Sequence, residues 1–484
     1  MSLTVQNTMT NKRETFVPME EGKVSMYACG VTVYDVCHIG HGMQAIVYDV
    51  IRNYLNYKGY EVTYVRNYTD VDDKIIQRAK ELGVSALEHS ERMIQEADRD
   101  LASLGVRPAD IEPKVSDHIP EIVDLIQKII ENGGAYAAGG DVYFDVKSFP
   151  QYGCLSNRSS DDMQAGVRVE VNPNKRDPAD FALWKKAKEG EVSWPSPWGE
   201  GRPGWHIECS ALAMKYLGME FDIHGGGRDL IFPHHENEIA QSVKGTSKSF
   251  ARYWIHNGLV KVGGRKMSKS FHNFLSIRDA VEKYYPETIR YTILSHHYSG
   301  SIDFSEKSFY DAYHRLLYFY NTFNKIDQMA EMVSNYPEHN IPGFEMPAIK
   351  EDFIKAMDDD FSTAQALAKV GSVFKTINDL IAAKKPKMKM KIHTLLHLKE
   401  TLLEVLSVLG IGTKPPKEAL SDIQTYLIKS KHIDCRHVEQ VLQQREEARK
   451  EKNWSRADEL RDQLLNMGIA IMDTPQGTQW QVLP

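Results

Sequence analysis

No stretch of this sequence is apolar for long enough to cross a membrane, which takes about 20 predominantly apolar residues in a helix. The opening segment, Met1 to Val17, mixes Asn, Lys, Arg, Glu and Thr without the apolar core of a secretory leader, so the expected location is cytoplasmic. Cysteine is scarce: Cys29, Cys37, Cys154, Cys209 and Cys435 are five in 484 residues, too few and too scattered for a disulfide framework. They are expected to be reduced thiols. A basic excess is also missing. The 59 Lys and Arg against 66 Asp and Glu leave a net charge of −7, which excludes a protein held on nucleic acid by bulk charge. An RNA partner would have to meet local basic patches. There is no internal repeat and no long low-complexity tract. The composition, 42% hydrophobic and 26% charged, is ordinary for a globular chain, and the length suggests roughly three domains.

Hydrophobic periodicity organises the chain. Val24 to Cys29 reads as an apolar strand, followed by a glycine-containing loop and a helix carrying Ile46, Val47, Val50, Ile51, Tyr54 and Leu55 that stops at Gly59. Glu61 to Val65 is a second strand. A strand, helix and strand in that order imply a crossover and hence a parallel, doubly wound α/β sheet with a nucleotide site at its carboxyl edge. Asp70 to Lys80, Leu87 to Leu104 and Asp117 to Glu131 read as helices, then Asp141 to Val146 as an extended segment. Ser159 to Pro203, rich in Asp, Asn, Pro, Gly and Trp, predicts a loop-heavy insertion. A helix from Trp205 stops at Gly218, and strand Glu220 to His224 leads into Gly225, Gly226 and Gly227, where the sheet resumes. The tail is helical: Phe304 to Val333, Lys350 to Met357, Thr363 to Ala383 and Lys391 to Leu409 predict a bundle. Breaks near Gly412, Pro415 and Pro416 precede a small module that ends in a hairpin, Ala470 to Asp473 with Thr478 to Val482.

Chemistry concentrates in a few stretches. His38 and His41 lie three apart at a predicted helix start beyond the first strand, where both can face a phosphate that also feels the helix dipole, and Gly40 permits close approach. Alone, that stretch is equally compatible with two surface histidines beside a glycine. Far downstream Lys266-Met267-Ser268-Lys269-Ser270, preceded by Gly263 and Gly264, predicts a cationic loop whose two ammonium groups can reach anionic oxygens. His234 and Glu238, four apart on a helix expected to start near Pro233, share a face, and His235 should project elsewhere. Cys209 is expected in the first turn of the Trp205 helix, where the dipole favours a thiolate, and Cys29 ends the first strand. Two Cys, one His and one carboxylate suit zinc, although no C-x-x-C pair is present and buried cysteines with solvent-facing His and Glu would read the same way.

H-I-G-H after a first strand together with K-M-S-K-S resembles the signature pair of class I aminoacyl-tRNA synthetases. C-G-V-T-V-Y-D from Cys29, R-N-Y-T-D-V-D-D-K from Arg66, G-W-H-I-E-C-S-A from Gly204, H-G-G-G-R-D-L-I-F-P-H-H-E-N-E-I-A from His224, M-D-D-D-F from Met357 and R-A-D-E-L-R-D-Q-L from Arg456 extend the resemblance over nearly the whole chain. That string is similar to the cysteinyl-tRNA synthetase family. The resemblance implies a split Rossmann-type catalytic domain at residues 1–120 and 204–245, and a connective insertion at 121–203. It further implies a stem-contact region with the lysine loop at 246–315, an all-α helical bundle at 316–412, and a C-terminal anticodon module at 413–484. It implies ATP-dependent attachment of L-cysteine to tRNA(Cys) through an adenylate in a monomeric, membrane-free enzyme. One Zn²⁺ would be held by Cys29, Cys209, His234 and Glu238, and Mg²⁺ would accompany ATP. His38, His41, Gly227, Asp229, Lys266 and Lys269 would surround ATP, with His38, His41, Lys266 and Lys269 catalytic. Thr69, Trp205 and His224 would line the cysteine pocket.

RNA contacts are less sharply marked. Lys384, Lys385, Lys387, Lys389 and Lys391 form a candidate phosphate patch, though a solvated lysine run fits as well. Arg456, Arg461, Trp454 and Trp480 could stack and pair with unpaired bases, or the tryptophans could be core. Three other functions fit part of the pattern: a ligase passing cysteine to an amino sugar, a non-catalytic RNA-binding paralogue, and a simple nucleotidylyltransferase. The first would not need the C-terminal module, the second would not need intact signature residues, and the third would need neither the helical tail nor the metal set.

Overall fold

The computed structural model describes residues 2–158, 173–267, 274–474 and 477–483. The chain divides into two compact units, one of Met1–Ile277, Ile293–Asp303 and Asp352–Leu367, the other of Arg278–Thr292, Phe304–Glu351 and Ala368–Pro484.

At the centre of the first unit four parallel strands lie in the order Ala251–Asn257, Phe221–Gly227, Lys23–Thr32, Glu61–Thr69. The chain builds outward from Lys23–Thr32 to Glu61–Thr69, then returns to the other side of its first strand. That reversal opens a crevice at the carboxyl ends of Lys23–Thr32 and Phe221–Gly227, where ligands of such sheets bind. Helix Ile39–Tyr57 makes the crossover and buries Ile46, Val47, Val50, Ile51, Tyr54 and Leu55, the periodic set that marks it in the sequence.

The first strand is longer than Val24 to Cys29 and is irregular at the crevice. Ala28 pairs with Arg66 and Val31 with Tyr68, so Cys29 and Gly30 together face Asn67. Such a bulge re-aims the side chains it carries. Only glycine fits its second position: a Cβ on Gly30 would stand 1.5 Å from the Asn67 carbonyl oxygen. The glycine triplet is the end of strand Phe221–Gly227, paired residue by residue with Ile255, His256 and Asn257. Its lack of side chains is used sterically. A Cβ on Gly225 would meet the Tyr48 ring at 2.3 Å, and the Tyr48 hydroxyl accepts from Gly226 N at 2.6 Å and donates to Ile255 O at 2.7 Å.

The predicted loop-heavy insertion is also corrected. Ala135–Ala138, Asp141–Phe144, Phe181–Lys186 and Gly201–Pro203 form an antiparallel sheet, with Leu183 and Trp184 fully buried; residues 159–172 lie outside the described residues. The strand Phe181–Lys186 escapes a local reading because its partner, Asp141–Phe144, lies far upstream and its flanks are rich in Pro, Gly and Asp.

The second unit is helical apart from a C-terminal hairpin, Ile469–Thr474 with Gly477–Val482. Helices Glu306–Met332, Met388–Leu409, Pro416–Ser430, Cys435–Lys450 and Trp454–Asn466 build it. One apolar cluster joins Tyr313 and Tyr320 to Ile423, Val438, Val441, Leu460, Leu464 and Val482. Lys391 leaves the candidate phosphate patch. It is 3% exposed, and its Nζ donates to Leu380 O at 2.7 Å and Ala383 O at 2.5 Å, closing the end of helix Thr363–Ala382.

The Tyr48 hydroxyl ties the helix to two strands, so Tyr48→Phe should strand a buried amide and a buried carbonyl and cost about 1–3 kcal/mol. Chemical denaturation measures it; an unchanged midpoint would remove Tyr48 from this role.

Candidate metal centre and active site

The four predicted ligands meet where the bulge, two helices and the kinked turn Ile231–His235 converge. One donor atom from each of Cys29, Cys209, His234 and Glu238 lies within 4.8 Å of the others, and all four residues are buried. Cys29 Sγ is 3.7 Å from Cys209 Sγ and 3.5 Å from Glu238 Oε1, and His234 Nε2 is 3.0 Å from the same carboxylate oxygen. Cys209 stands in the second turn of helix Trp205–Leu217, not the first. Its thiol is pulled below the usual range mainly by the hydrogen bond that Cys29 donates to it, with His234 assisting. Burial, reinforced by Cys209, pushes Cys29 up.

The set is supported from behind. Burial favours the neutral form of Glu238, yet His224 and His234 together hold its carboxyl at about 2; His224 Nε2 lies 2.9 Å from Oε2. Burial also opposes protonation of His234, but Glu238 and Cys209 push it up to about 10. The other ring nitrogen of His234 lies 2.9 Å from His206 Nδ1. His235 does not project elsewhere. Its Nε2 is 3.3 Å from Cys29 Sγ, and its Nδ1 is 2.7 Å from His256 Nε2, whose ring reaches Thr8 Oγ1 at 2.7 Å. On a regular helix residue i+1 turns about 100° away from residue i. His235 nevertheless lies three residues before Glu238, an i, i+3 spacing that shares a helix face, so both imidazoles approach the same carboxylate, His235 Nε2 at 4.0 Å from Oε1. A second donor set results, Cys29, His224, His235 and Glu238.

At the expected ATP face, His38 is the N-cap of helix Ile39–Tyr57. Its Nδ1 accepts from Gly40 N at 3.1 Å and His41 N at 3.3 Å, and His38 N donates to His41 Nδ1 at 3.3 Å. The two rings stack at 3.7 Å. Gly227 ends its strand, and Asp229 is exposed in the following turn, Arg228–Leu230. Lys266 lies in strand Arg265–Lys266, whereas Lys269 lies outside the described residues. The chain on the far side of that segment runs beside the histidines: Ile39 N donates to Leu275 O at 3.0 Å and Ile277 N to Cys37 O at 2.9 Å. The described chain from residue 274 onward therefore lies against the start of the crossover helix. Cys37 is buried.

Of the three residues expected around cysteine, the Trp205 ring stacks on His234 at 4.4 Å and is 37% exposed, while Thr69 and His224 are buried. Thr69 Oγ1 donates to Glu208 Oε2 at 3.0 Å and accepts from Asn67 Nδ2 at 3.3 Å. Asn67 was not singled out in the sequence. Its Oδ1 accepts from Gly30 N at 2.9 Å and lies 3.7 Å from Cys209 Sγ, so one buried amide links both cysteine positions to Thr69. Its only sequence signal is its place in R-N-Y-T-D-V-D-D-K. In the second unit Trp454 is 60% exposed, Trp480 packs against the apolar cluster, and Arg456 pairs with Glu459 at 2.9 Å.

Residues 15–314 match the tRNA synthetases class I (C) catalytic domain, residues 352–413 the DALR domain, and residues 436–480 the cysteinyl-tRNA ligase anticodon binding domain. The cysteine–tRNA ligase of Syntrophotalea carbinolica is 48% identical over 482 residues, covering 99% of this chain and 100% of that protein. The chloroplastic/mitochondrial cysteine–tRNA ligase of Arabidopsis thaliana is 46% identical, over 99% of this chain and 86% of its own. Among solved structures, Mycobacterium tuberculosis methionyl-tRNA synthetase in complex with methionyl-adenylate superposes with a TM-score of 0.61 at 12% identity, over 82% of this chain and 93% of that one. Thermus thermophilus arginyl-tRNA synthetase does so at 0.55 and 13%, over 84% and 85%. Those two share the fold. With a class I catalytic match over residues 15–314 and relatives aligned end to end, the chain belongs to the cysteine–tRNA ligases, a family of class I aminoacyl-tRNA synthetases.

Proposed function

We propose that this chain charges a cysteine-accepting tRNA in two steps at the carboxyl edge of its parallel sheet. The carboxylate of cysteine attacks the α-phosphate of ATP, pyrophosphate leaves, and cysteinyl-adenylate forms. A terminal ribose hydroxyl of the tRNA then takes the acyl group and AMP leaves. The observation that carries this reading is the meeting of Cys29, Cys209, His234 and Glu238 beside the crevice.

The donor set fits zinc. A tetrahedral ion with ligands at about 2.0–2.3 Å keeps its donors about 3.3–3.8 Å apart; the 3.7 and 3.5 Å separations fall in that range, while His234 Nε2 and Glu238 Oε1 stand closer, at 3.0 Å. Two sulfurs disfavour Mg²⁺ and Ca²⁺, and this set has one sulfur more than the Cys29, His224, His235 and Glu238 alternative. Bound there, one zinc per chain would supply a thiophilic Lewis acid that favours a cysteine thiolate over a serine hydroxyl. That matters because a pocket reading shape alone separates such similar substrates by only about 1–3 kcal/mol. Within the protein, His224 holds the second oxygen of Glu238 and His206 fixes the ring of His234, so two ligands are oriented before substrate arrives.

No side-chain nucleophile is required. His38 and His41, capping the crossover helix, orient the phosphates of ATP, Gly227 and Asp229 line the nucleotide, and Lys266 and Lys269 stabilise charge on the leaving pyrophosphate, with Mg²⁺ carried by ATP. Thr69, Trp205 and His224 surround the amino acid. Trp454, exposed at the start of helix Trp454–Asn466, and Arg461 offer stacking and phosphate contacts to unpaired anticodon bases.

Purified protein should contain about one zinc per chain and catalyse cysteine-dependent ATP–pyrophosphate exchange while refusing serine by roughly 10⁴-fold or more. Exchange supported equally by serine would overturn the metal-based selection. Lys269→Ala should slow exchange about 100-fold and leave the KM for cysteine nearly unchanged; equal loss of both would make the lysine structural. Trp454→Ala should weaken tRNA charging by about 1–3 kcal/mol, seen in KM for tRNA, with exchange unaffected.

A further inference from the structure

We propose that Glu236 is a positioning residue through which residues 151–157 of the insertion hold the metal-bearing turn, so that zinc occupancy and the docking of that loop are linked. The inference rests on the reading that Cys29, Cys209, His234 and Glu238 hold zinc. Glu236 stands between two of those residues in sequence, is fully buried, and belongs to neither donor set. On a helix a residue two places away points about 200° round the axis. The Glu236 carboxylate accordingly serves the loop and not the metal. Its Oε1 accepts from Gly153 N at 2.9 Å, Leu155 N at 3.4 Å and Cys154 Sγ at 3.5 Å, and its Oε2 accepts from Ser156 N at 2.8 Å. Gly153, with a φ of 102°, lets so short a loop turn its amides toward one carboxylate, as such groups gather round an anion.

Two further contacts act on the same stretch. The Tyr152 hydroxyl donates to Asn237 Oδ1, and the Arg158 guanidinium lies 4.5 Å over the Phe232 ring. Phe232 is extended, at φ −136° and ψ 131°, so regular helix is interrupted just before His234 and its ladder alone cannot fix where that imidazole stands. The loop and the residue after it grip positions 232, 236 and 237, on both sides of His234 and up to the residue before Glu238. They are anchored in turn. Phe149 and Leu155 are buried in the apolar cluster that also contains Cys29 and Cys209. One packed body thus carries the two sulfurs and the loop, and Glu236 ties the imidazole and the carboxylate to it. An ion that fixes His234 and Glu238 stabilises the loop docked on Glu236, and by reciprocity the docked loop raises affinity for the ion.

Full-length protein, stripped by a chelator and reloaded with zinc, tests it in two ways. In the parent, hydrogen exchange of a peptide spanning residues 151–157, read by mass spectrometry, should slow about 5- to 150-fold on zinc loading, the usual size of coupling between linked sites. The hairpin Ile469–Thr474 with Gly477–Val482, in the other unit, serves as the control and should not respond. Glu236→Gln keeps the shape but turns an NH₂ group toward donors. It should raise the Kd for zinc, measured by competition with a chromophoric chelator, about 10- to 100-fold, and remove the zinc effect on the loop. Tyr152→Phe should act in the same direction, which keeps the test open if Glu236→Gln does not fold. A Glu236→Gln protein that melts earlier yet binds zinc as tightly as the parent would reduce the carboxylate to a structural role. A loop that exchanges equally with and without zinc in the parent would refute the linkage. Parent protein that binds no zinc would instead end the underlying metal reading, a failure visible before any variant is made.

Discussion

Two residues facing one, Cys29 and Gly30 against Asn67, is the mismatch in strand pairing on which the site depends. A regular strand sends successive side chains to opposite faces, and its ladder would use the Gly30 amide. In the bulge that amide is taken by the Asn67 side chain, while Gln44 donates to the Cys29 carbonyl at 2.5 Å. Cys29 is thereby held from both sides of the sheet and aimed at a helix distant in sequence. The near-contact of a Gly30 Cβ with the Asn67 carbonyl shows how tightly the strands approach. Sterics set the position of this candidate ligand.

From that fixed point the polar groups form one connected network. Glu238 is bound at Oε1 by His234 and at Oε2 by His224, and the neighbouring imidazoles continue through His235 and His256 to Thr8. Networks of this kind in a low-dielectric interior specify a single arrangement because an unsatisfied member is expensive. Trp254 stacks flat on His224 at 4.4 Å and closes the apolar side. The donors are therefore oriented by their neighbours, as the proposed zinc chemistry needs.

The parallel sheet and the crossover helix were legible in the sequence because each rests on a local period, and His234 with Glu238 on a short spacing, whereas joining Cys29 and Cys209 to them rested on the family resemblance. Ile46 through Leu55 mark one helix face, and His234 with Glu238 keep an i, i+4 relation. What local pattern could not carry was geometry produced at a distance. Asn67 looks like any strand asparagine until the bulge is seen, and the inward position of His235 shows only once Cys29 and His256 are placed beside it. Nothing in the sequence says why the triplet must be glycine, whereas the Tyr48 ring requires it at Gly225. Lys391 reads as surface charge, but three carbonyls at a helix end claim its ammonium. In each case the deciding partner lies outside the window in which periodicity operates.

The second unit shows the same dependence of function on packing. Tyr313 and Tyr320, from the long helix Glu306–Met332, share their apolar cluster with Leu460, Leu464 and Val482 from the C-terminal module, so that module is no loosely appended bead. Its orientation within the unit is fixed by buried aromatic and aliphatic contacts, reinforced by Arg445, whose guanidinium forks onto Asp473 at 2.9 and 3.0 Å. Groups left outside are then presented from a rigid base. Trp454 has no such burial, and Lys384, Lys385, Lys387 and Lys389 stay exposed after Lys391 is withdrawn. For a chain of net charge −7, the proposed attraction for RNA would have to come from local groups of this kind. A well-packed frame would limit the ordering entropy such contacts cost, so that a few exposed side chains would suffice.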